Sequence, residues 1–108
     1  MFAIEGNDIY LTRGDSLFIQ VSLTKDEEPY IPTSGEVVRF AMKKKYTDEE
    51  VILQKVIPND TLVLHLRPED TKPLPMKSKY VYDLEFTDSS GEVDTFVKGM
   101  FYITEEVL

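Results

Sequence analysis

Any chemistry in this chain would have to be built from oxygen. The sequence holds no cysteine and a single histidine, His65, against 20 aspartates and glutamates. Thiolate nucleophiles, disulfides and cysteine metal centres are therefore excluded, and carboxylate pairs are the main material left for acid–base work. His65 stands between Leu64 and Leu66. Period-two alternation turns it away from the leucine row, and the sequence places no serine, cysteine or acid beside it to orient it as a base. The densest group of oxygen-bearing side chains is Asp88, Ser90, Glu92 and Asp94 around Gly91. Calcium needs about six to eight oxygens, and this run lacks the long loop closed by a bidentate glutamate, so it reads as a solvated hairpin tip. The other acids are scattered over turns and outer faces, as in a solvated surface. The sequence assigns no catalytic, cofactor-binding or metal-binding residue.

Two short motifs point to partners. Arg13-Gly14-Asp15 is the integrin-recognition tripeptide, but Gly14 between two strands equally supplies the positive φ of a tight turn. Lys43-Lys44-Lys45-Tyr46 sets an aromatic beside a basic run, as nucleic-acid sites do, yet Asp48-Glu49-Glu50 follows and cancels its field. The net charge of −8 argues against nucleic acid, whose phosphates need a basic surface. No apolar run approaches the ~20 residues that cross a bilayer, so no membrane partner is expected, and the start from Met1 to Gly6 does not read as a secretory signal.

These residues must be positioned by strands. Leu17, Ile19, Val21 and Leu23 alternate with polar or exposed positions, as do Val38, Phe40 and Met42, then Leu62, Leu64 and Leu66. Asp8 to Thr12 opens the series, and Val51 to Ile57 is a strand with apolar residues on both sides. Thr24 to Glu36 is a polar loop with Pro29, Pro32 and Gly35. Pro68 to Lys72 makes one helical turn, with proline at its first position and Glu69 and Asp70 near its positive end. Lys79 to Ile103 is one long hairpin about Asp88-Ser89-Ser90-Gly91, with Tyr80, Tyr82, Leu84 and Phe86 on a single face. The expected fold is all-β: an immunoglobulin-like antiparallel β-sandwich of about seven strands, forming a single domain over residues 1–108.

Uninterrupted alternation from Asp94 places Phe101 and Ile103 in the core and leaves Phe96, Met100 and Tyr102 as an apolar stripe outside, unless a bulge at Gly99 shifts the register. Exposed aromatic and methionine side chains are enriched at interfaces, so this stripe, with Tyr30 of the proline-bearing loop, is the candidate protein-contact surface.

Six segments together resemble small prophage-encoded structural or tail-associated proteins of Gram-positive bacteria. They are Ile9-Tyr10-Leu11-Thr12-Arg13-Gly14-Asp15-Ser16, Val38-Arg39-Phe40-Ala41-Met42-Lys43-Lys44, Leu66-Arg67-Pro68-Glu69-Asp70-Thr71, Tyr80-Val81-Tyr82-Asp83-Leu84, Gly91-Glu92-Val93-Asp94-Thr95-Phe96 and Phe101-Tyr102-Ile103-Thr104-Glu105-Glu106-Val107. More distantly, the chain is similar to the immunoglobulin-like amino-terminal domain of phage baseplate upper proteins. The resemblance implies a non-enzymatic virion component, made in the bacterial host cytoplasm, whose partners are other phage structural proteins or further copies of itself. It carries no catalytic motif. The alternative is a carbohydrate- or cell-surface-binding sandwich in which exposed aromatics such as Tyr30 and Tyr46 stack on sugars.

Overall fold

A computed structural model describes residues 2–5 and 7–107, with side chains described from Asn7 onward. The strands are β1 (Phe2–Glu5), β2 (Asp8–Thr12), β3 (Leu17–Gln20), β4 (Thr24–Lys25), β5 (Glu28–Pro29), β6 (Val37–Lys43), β7 (Leu53–Ile57), β8 (Val63–Leu66), β9 (Ser78–Thr87) and β10 (Val93–Thr104). One helical turn, α1 (Pro68–Thr71), lies between β8 and β9. The structure is mainly β, with 50% of the chain in strands. The main sheet has the order β1-β2-β10-β9-β6-β7 and curls into a half-barrel. β3 and β8 form a separate pair, and β4 and β5 a small hairpin.

The antiparallel pattern expected from the sequence does not hold throughout. β10 runs parallel to β2, with Phe101 opposite Ile9 and Ile103 opposite Leu11, so the main sheet is mixed. The two strands are joined by almost the whole chain, and period-two alternation reads the same for either direction of pairing. The β3–β8 pair sets Leu17 opposite Leu66 and Ile19 opposite Leu64. Its Leu17, Leu64 and Leu66 are fully buried or nearly so, in one cluster with Ile9, Leu11, Val38, Phe40, Met42, Phe101 and Ile103 of the main sheet. Each such side chain taken from water contributes about 1.5–3 kcal/mol, which makes these alternating rows the main source of stability.

The expected helical turn is present. The Asp70 carboxylate accepts from the Arg67 backbone N–H at 2.8 Å, and Lys55 pairs with Asp70 at 3.0 Å. Thr71 at its end is completely buried, and its hydroxyl accepts the Gly14 N–H at 2.8 Å. This contact holds the Arg13-Gly14-Asp15 turn against the helix.

The β9–β10 hairpin departs from its expected pattern at one point. Phe86 pairs with Asp94 but Leu84 pairs with Val97, so β10 carries one extra residue between Thr95 and Val97. The bulge is therefore at Phe96, not at Gly99, which stays in regular register opposite Tyr82. On the amino-terminal side of the bulge the faces are exchanged: Val93 is 58% exposed, while Asp94 lies with Phe86 on the concave side. The outer stripe of Phe96, Met100 and Tyr102 is thereby broken, because a single inserted residue reverses the side-chain alternation on one side of it.

Candidate functional site

β2 covers β10 only along Phe101–Thr104. Among the described residues, no strand pairs with Val93–Lys98 on the side away from β9. The next N–H along that side, from Met100, is taken by the Asp8 carboxylate at 3.0 Å. Among the described residues, β3 likewise pairs only with β8. Between these two open edges runs a groove of two adjoining cavities, about 180 Å³ and about 510 Å³, sharing Ser22, Phe96 and Val97.

The two ends of the groove differ in chemistry. The smaller cavity is lined by Ile9, Ile19, Val21, Leu64, Leu84 and Val97, and Asn7 and Tyr82 also border it. The larger one gathers Tyr30, Phe86 and Phe96 with Lys25, Glu36, Asp88 and Asp94. The Tyr30 ring meets Phe86 edge-on, with centroids 6.1 Å apart and planes at 83°, and the Lys25 ammonium sits 5.2 Å from its centroid. The Tyr30 hydroxyl donates to Glu36 at 2.5 Å. Glu36 also accepts from the Thr33 N–H at 2.8 Å and the Thr33 hydroxyl at 3.1 Å. These bonds, that from the Thr33 backbone foremost, hold the Glu36 carboxyl below its ordinary range, and the Glu36 bond raises the Tyr30 hydroxyl.

Asp88 is committed to its own turn. One of its oxygens accepts from the Ser90 N–H at 2.9 Å, the Ser90 hydroxyl at 2.7 Å and the Glu92 N–H at 3.0 Å, which lowers its proton affinity. The turn is thus built on hydrogen bonds, and among the described residues no three acidic or histidine side chains group to hold a metal. Asp94 differs. Among the described residues, no hydrogen bond or ion pair engages its carboxylate, although it borders the groove.

The candidate contact residues fall into separate places. Phe96 and Tyr30 both line the larger cavity of the groove. Met100 lies apart, beside Tyr80, Leu74 and Lys79. Tyr102 stacks on Tyr10, with centroids 4.6 Å apart and planes within 8°. Lys25 and Glu36 were not singled out by sequence reasoning. The Thr33-x-x-Glu36 spacing, which lets a glutamate reach back to a backbone N–H, is the signal that would have found Glu36.

The tempting motifs have structural roles. The Arg13 guanidinium donates to the Leu74 carbonyl at 2.7 Å and also binds the Lys72 carbonyl and Glu106. It is folded onto the protein and does not project as an adhesive loop would. His65 stacks on Phe18 across β3 and β8, centroids 4.1 Å apart. Tyr46 lies under the Lys98 ammonium at 6.0 Å, outside the groove.

Comparison with protein-family models, with curated proteins and with solved structures finds no match to this chain.

Proposed function

We propose that the chain is a non-enzymatic phage structural protein, tail- or baseplate-associated, built as a variant immunoglobulin-like sandwich and acting by binding other virion proteins. The observation that carries the contact role is the groove, where two of the four nominated contact residues, Phe96 and Tyr30, lie beside an uncovered strand edge. The assignment to a virion draws on the resemblance of the six segments described above. It is tested by inducing the prophage, purifying the particles and identifying their polypeptides by mass spectrometry. The chain is expected in the particles; particles lacking it would remove the virion assignment.

A second reading, a carbohydrate- or cell-surface-binding module, is favoured by one observation: three aromatics, Tyr30, Phe86 and Phe96, gather at the wide end of the groove. Sugar stacking requires open ring faces, and Tyr30 has Lys25 over its ring and Phe86 packed nearly perpendicular to it. Tyr46, the other aromatic nominated for stacking, is outside the groove and lies beneath Lys98. The protein-contact reading therefore ranks first. Titration with soluble cell-wall glycans, followed by backbone amide shifts, separates the two: shifts confined to Tyr30, Phe86 and Phe96 would establish the sugar module.

A further inference from the structure

We infer that the groove between β10 and β3 receives an extended, apolar segment with basic residues at one end, contributed by a partner polypeptide and added as a strand along Val93–Lys98. This rests on the contact-module reading and specifies its partner surface; it does not depend on membership of a virion.

Three observations converge. The first is backbone valence. Met100 directs its N–H away from β9 to the Asp8 carboxylate. Two residues earlier, Lys98 directs its N–H the same way, because strand backbone groups alternate sides. An edge with unpaired donors and acceptors is a template for another strand. Asp8 ends the series by capping the last position before β2 takes over.

The second is shape. Val93–Lys98 spans roughly 20 Å at strand rise. The groove runs beside it and is bordered on its far side by Ser22 and Leu23 after the open β3. An added strand would present alternate side chains to Ile19, Val21, Leu64 and Val97 at the apolar end, filling the seam between two sheets that do not pair there.

The third is charge. Among the described residues, the wide end carries the carboxylates of Glu36, Asp88 and Asp94 against the single cation of Lys25, in a chain of net charge −8. Glu36 and Asp88 are held ionised by their hydrogen bonds, and Asp94 is unengaged among the described residues. A second copy of so acidic a chain is a poor match, and a lysine- or arginine-bearing segment is a good one. The bulge at Phe96 is what turns Asp94 toward this end; without it Asp94 would face outward.

The test uses the full chain and three synthetic peptides: Lys-Lys-Val-Thr-Val-Thr-Val-Thr, the same with two glutamates for the lysines, and a scrambled form with its alternation broken. Binding is followed by amide chemical shifts and hydrogen exchange. The lysine peptide is expected to bind, shifting Val93–Lys98, Ser22 and Leu23 and protecting the edge amides. The glutamate peptide should bind at least about fivefold more weakly, and Asp94→Lys, which leaves two lysines against Glu36 and Asp88 at the wide end, should remove that preference. Lys98→Pro, which removes an edge donor without removing a bond to β9, should abolish protection. Lys98→Ala controls for loss of its charge. Any of four results would overturn the inference: no binding at millimolar peptide, equal binding of the scrambled form, no charge preference, or shifts lying elsewhere. Light scattering that shows a dimer broken by Lys98→Pro would instead make a second copy the occupant and also overturn it. Absence of the chain from purified particles leaves this result unchanged, so the two readings fail separately.

Discussion

The Tyr82 hydroxyl donates to the backbone carbonyl of Asn7, 75 residues earlier in the chain. The bond crosses directly over Gly99, the residue paired with Tyr82 on β10. It ties the start of β2 to the middle of the hairpin at the end of the groove, where the β2–β10 pairing stops. Burial, with the Asp8 and Tyr46 charges adding to it, pushes the Tyr82 hydroxyl up to about 12 from 10.0.

Tyr82→Phe should therefore have two effects. It leaves the Asn7 carbonyl without its donor and lowers stability by about 1–2 kcal/mol near neutral pH. It also changes the alkaline limb. Tyr82 keeps its proton in the folded state between pH 10 and about 12, while the unfolded chain loses it. Stability is thus undiminished below pH 10 and falls as pH rises through that window. Urea unfolding at pH 9 to 11.5 should show a shallower fall for the phenylalanine variant than for the wild type. An identical slope would mean that Tyr82 titrates normally.

Gly99 and Gly91 should respond to alanine for different reasons. A Cβ at Gly99 would meet the Asn7 backbone and lie 2.9 Å from the Tyr82 ring, so the substitution is a steric wedge between β2 and β9. A loss of about 1–3 kcal/mol is expected, with selective exposure of the Asn7–Asp8 amides to exchange. At Gly91 a Cβ meets nothing within 4 Å, but φ is +93°. There the cost is conformational only, about 1–2 kcal/mol, confined to the hairpin turn. Thermal unfolding with amide exchange distinguishes the two patterns.

The row Val38–Met42 was legible in the sequence because β6 buries one face only, and period two is a local signal; the rows Tyr80–Phe86 and Leu62–Leu66 were legible as well, although Val81 is buried on the opposite face of β9 and Leu62 precedes β8 with positive φ. Pro68 at the first position of α1 was legible for a similar reason, its φ being preset. The parallel β2–β10 pairing was not legible. It joins Ile9 to Phe101 across the length of the chain, and no local pattern encodes which distant edge a strand selects. Gly99 was the position offered for a bulge as the alternative to an unbroken stripe, because glycine often marks one; the bulge falls at Phe96, while Gly99 is required by the close approach of Asn7. The inserted residue inverts the faces that uninterrupted alternation gives Val93 and Asp94, and this concealed the groove. The small β4–β5 hairpin was also missed, its turn built on positive φ at Asp26 and Glu27 with no glycine to announce it.

Glu106 makes the carboxyl terminus of β10 an acid-sensitive clasp. It accepts from Lys72 at 2.8 Å and binds the Arg13 guanidinium. The Lys72 hydrogen bond is the largest cause holding its carboxyl below 4.5; the Lys72 and Arg13 charges add to it, and partial burial opposes. A depressed carboxyl stabilises the fold above its unfolded value and loses that contribution as pH falls through its folded value. Glu106→Gln should be less stable than wild type at neutral pH, and the gap should close as pH drops below 4.5. Urea midpoints measured from about pH 7 to about pH 3 read this directly. A gap that is constant with pH would show that the side chain acts through shape and not charge.

Phe40 and Phe18 test the assignment of faces. Phe40 is fully buried and forms an aromatic trio with Tyr82 and Phe101, centroids 5.7 Å and 6.2 Å away. Phe18 is 60% exposed and rests only one ring face on His65. Phe40→Ala should cost about 3–5 kcal/mol, a large part of the total stability of a domain this size. Phe40→Leu, which restores most of the volume, should fold and remain within roughly 1.5 kcal/mol of wild type. Phe18→Ala, by contrast, loses one cross-strand pair and should change stability by no more than about 1 kcal/mol. Equilibrium denaturation of the three variants gives the ranking. A larger loss at Phe18 than at Phe40 would mean that the outer face of β3 is covered in solution, which would move the contact surface from the β10 groove to the β3–β8 layer.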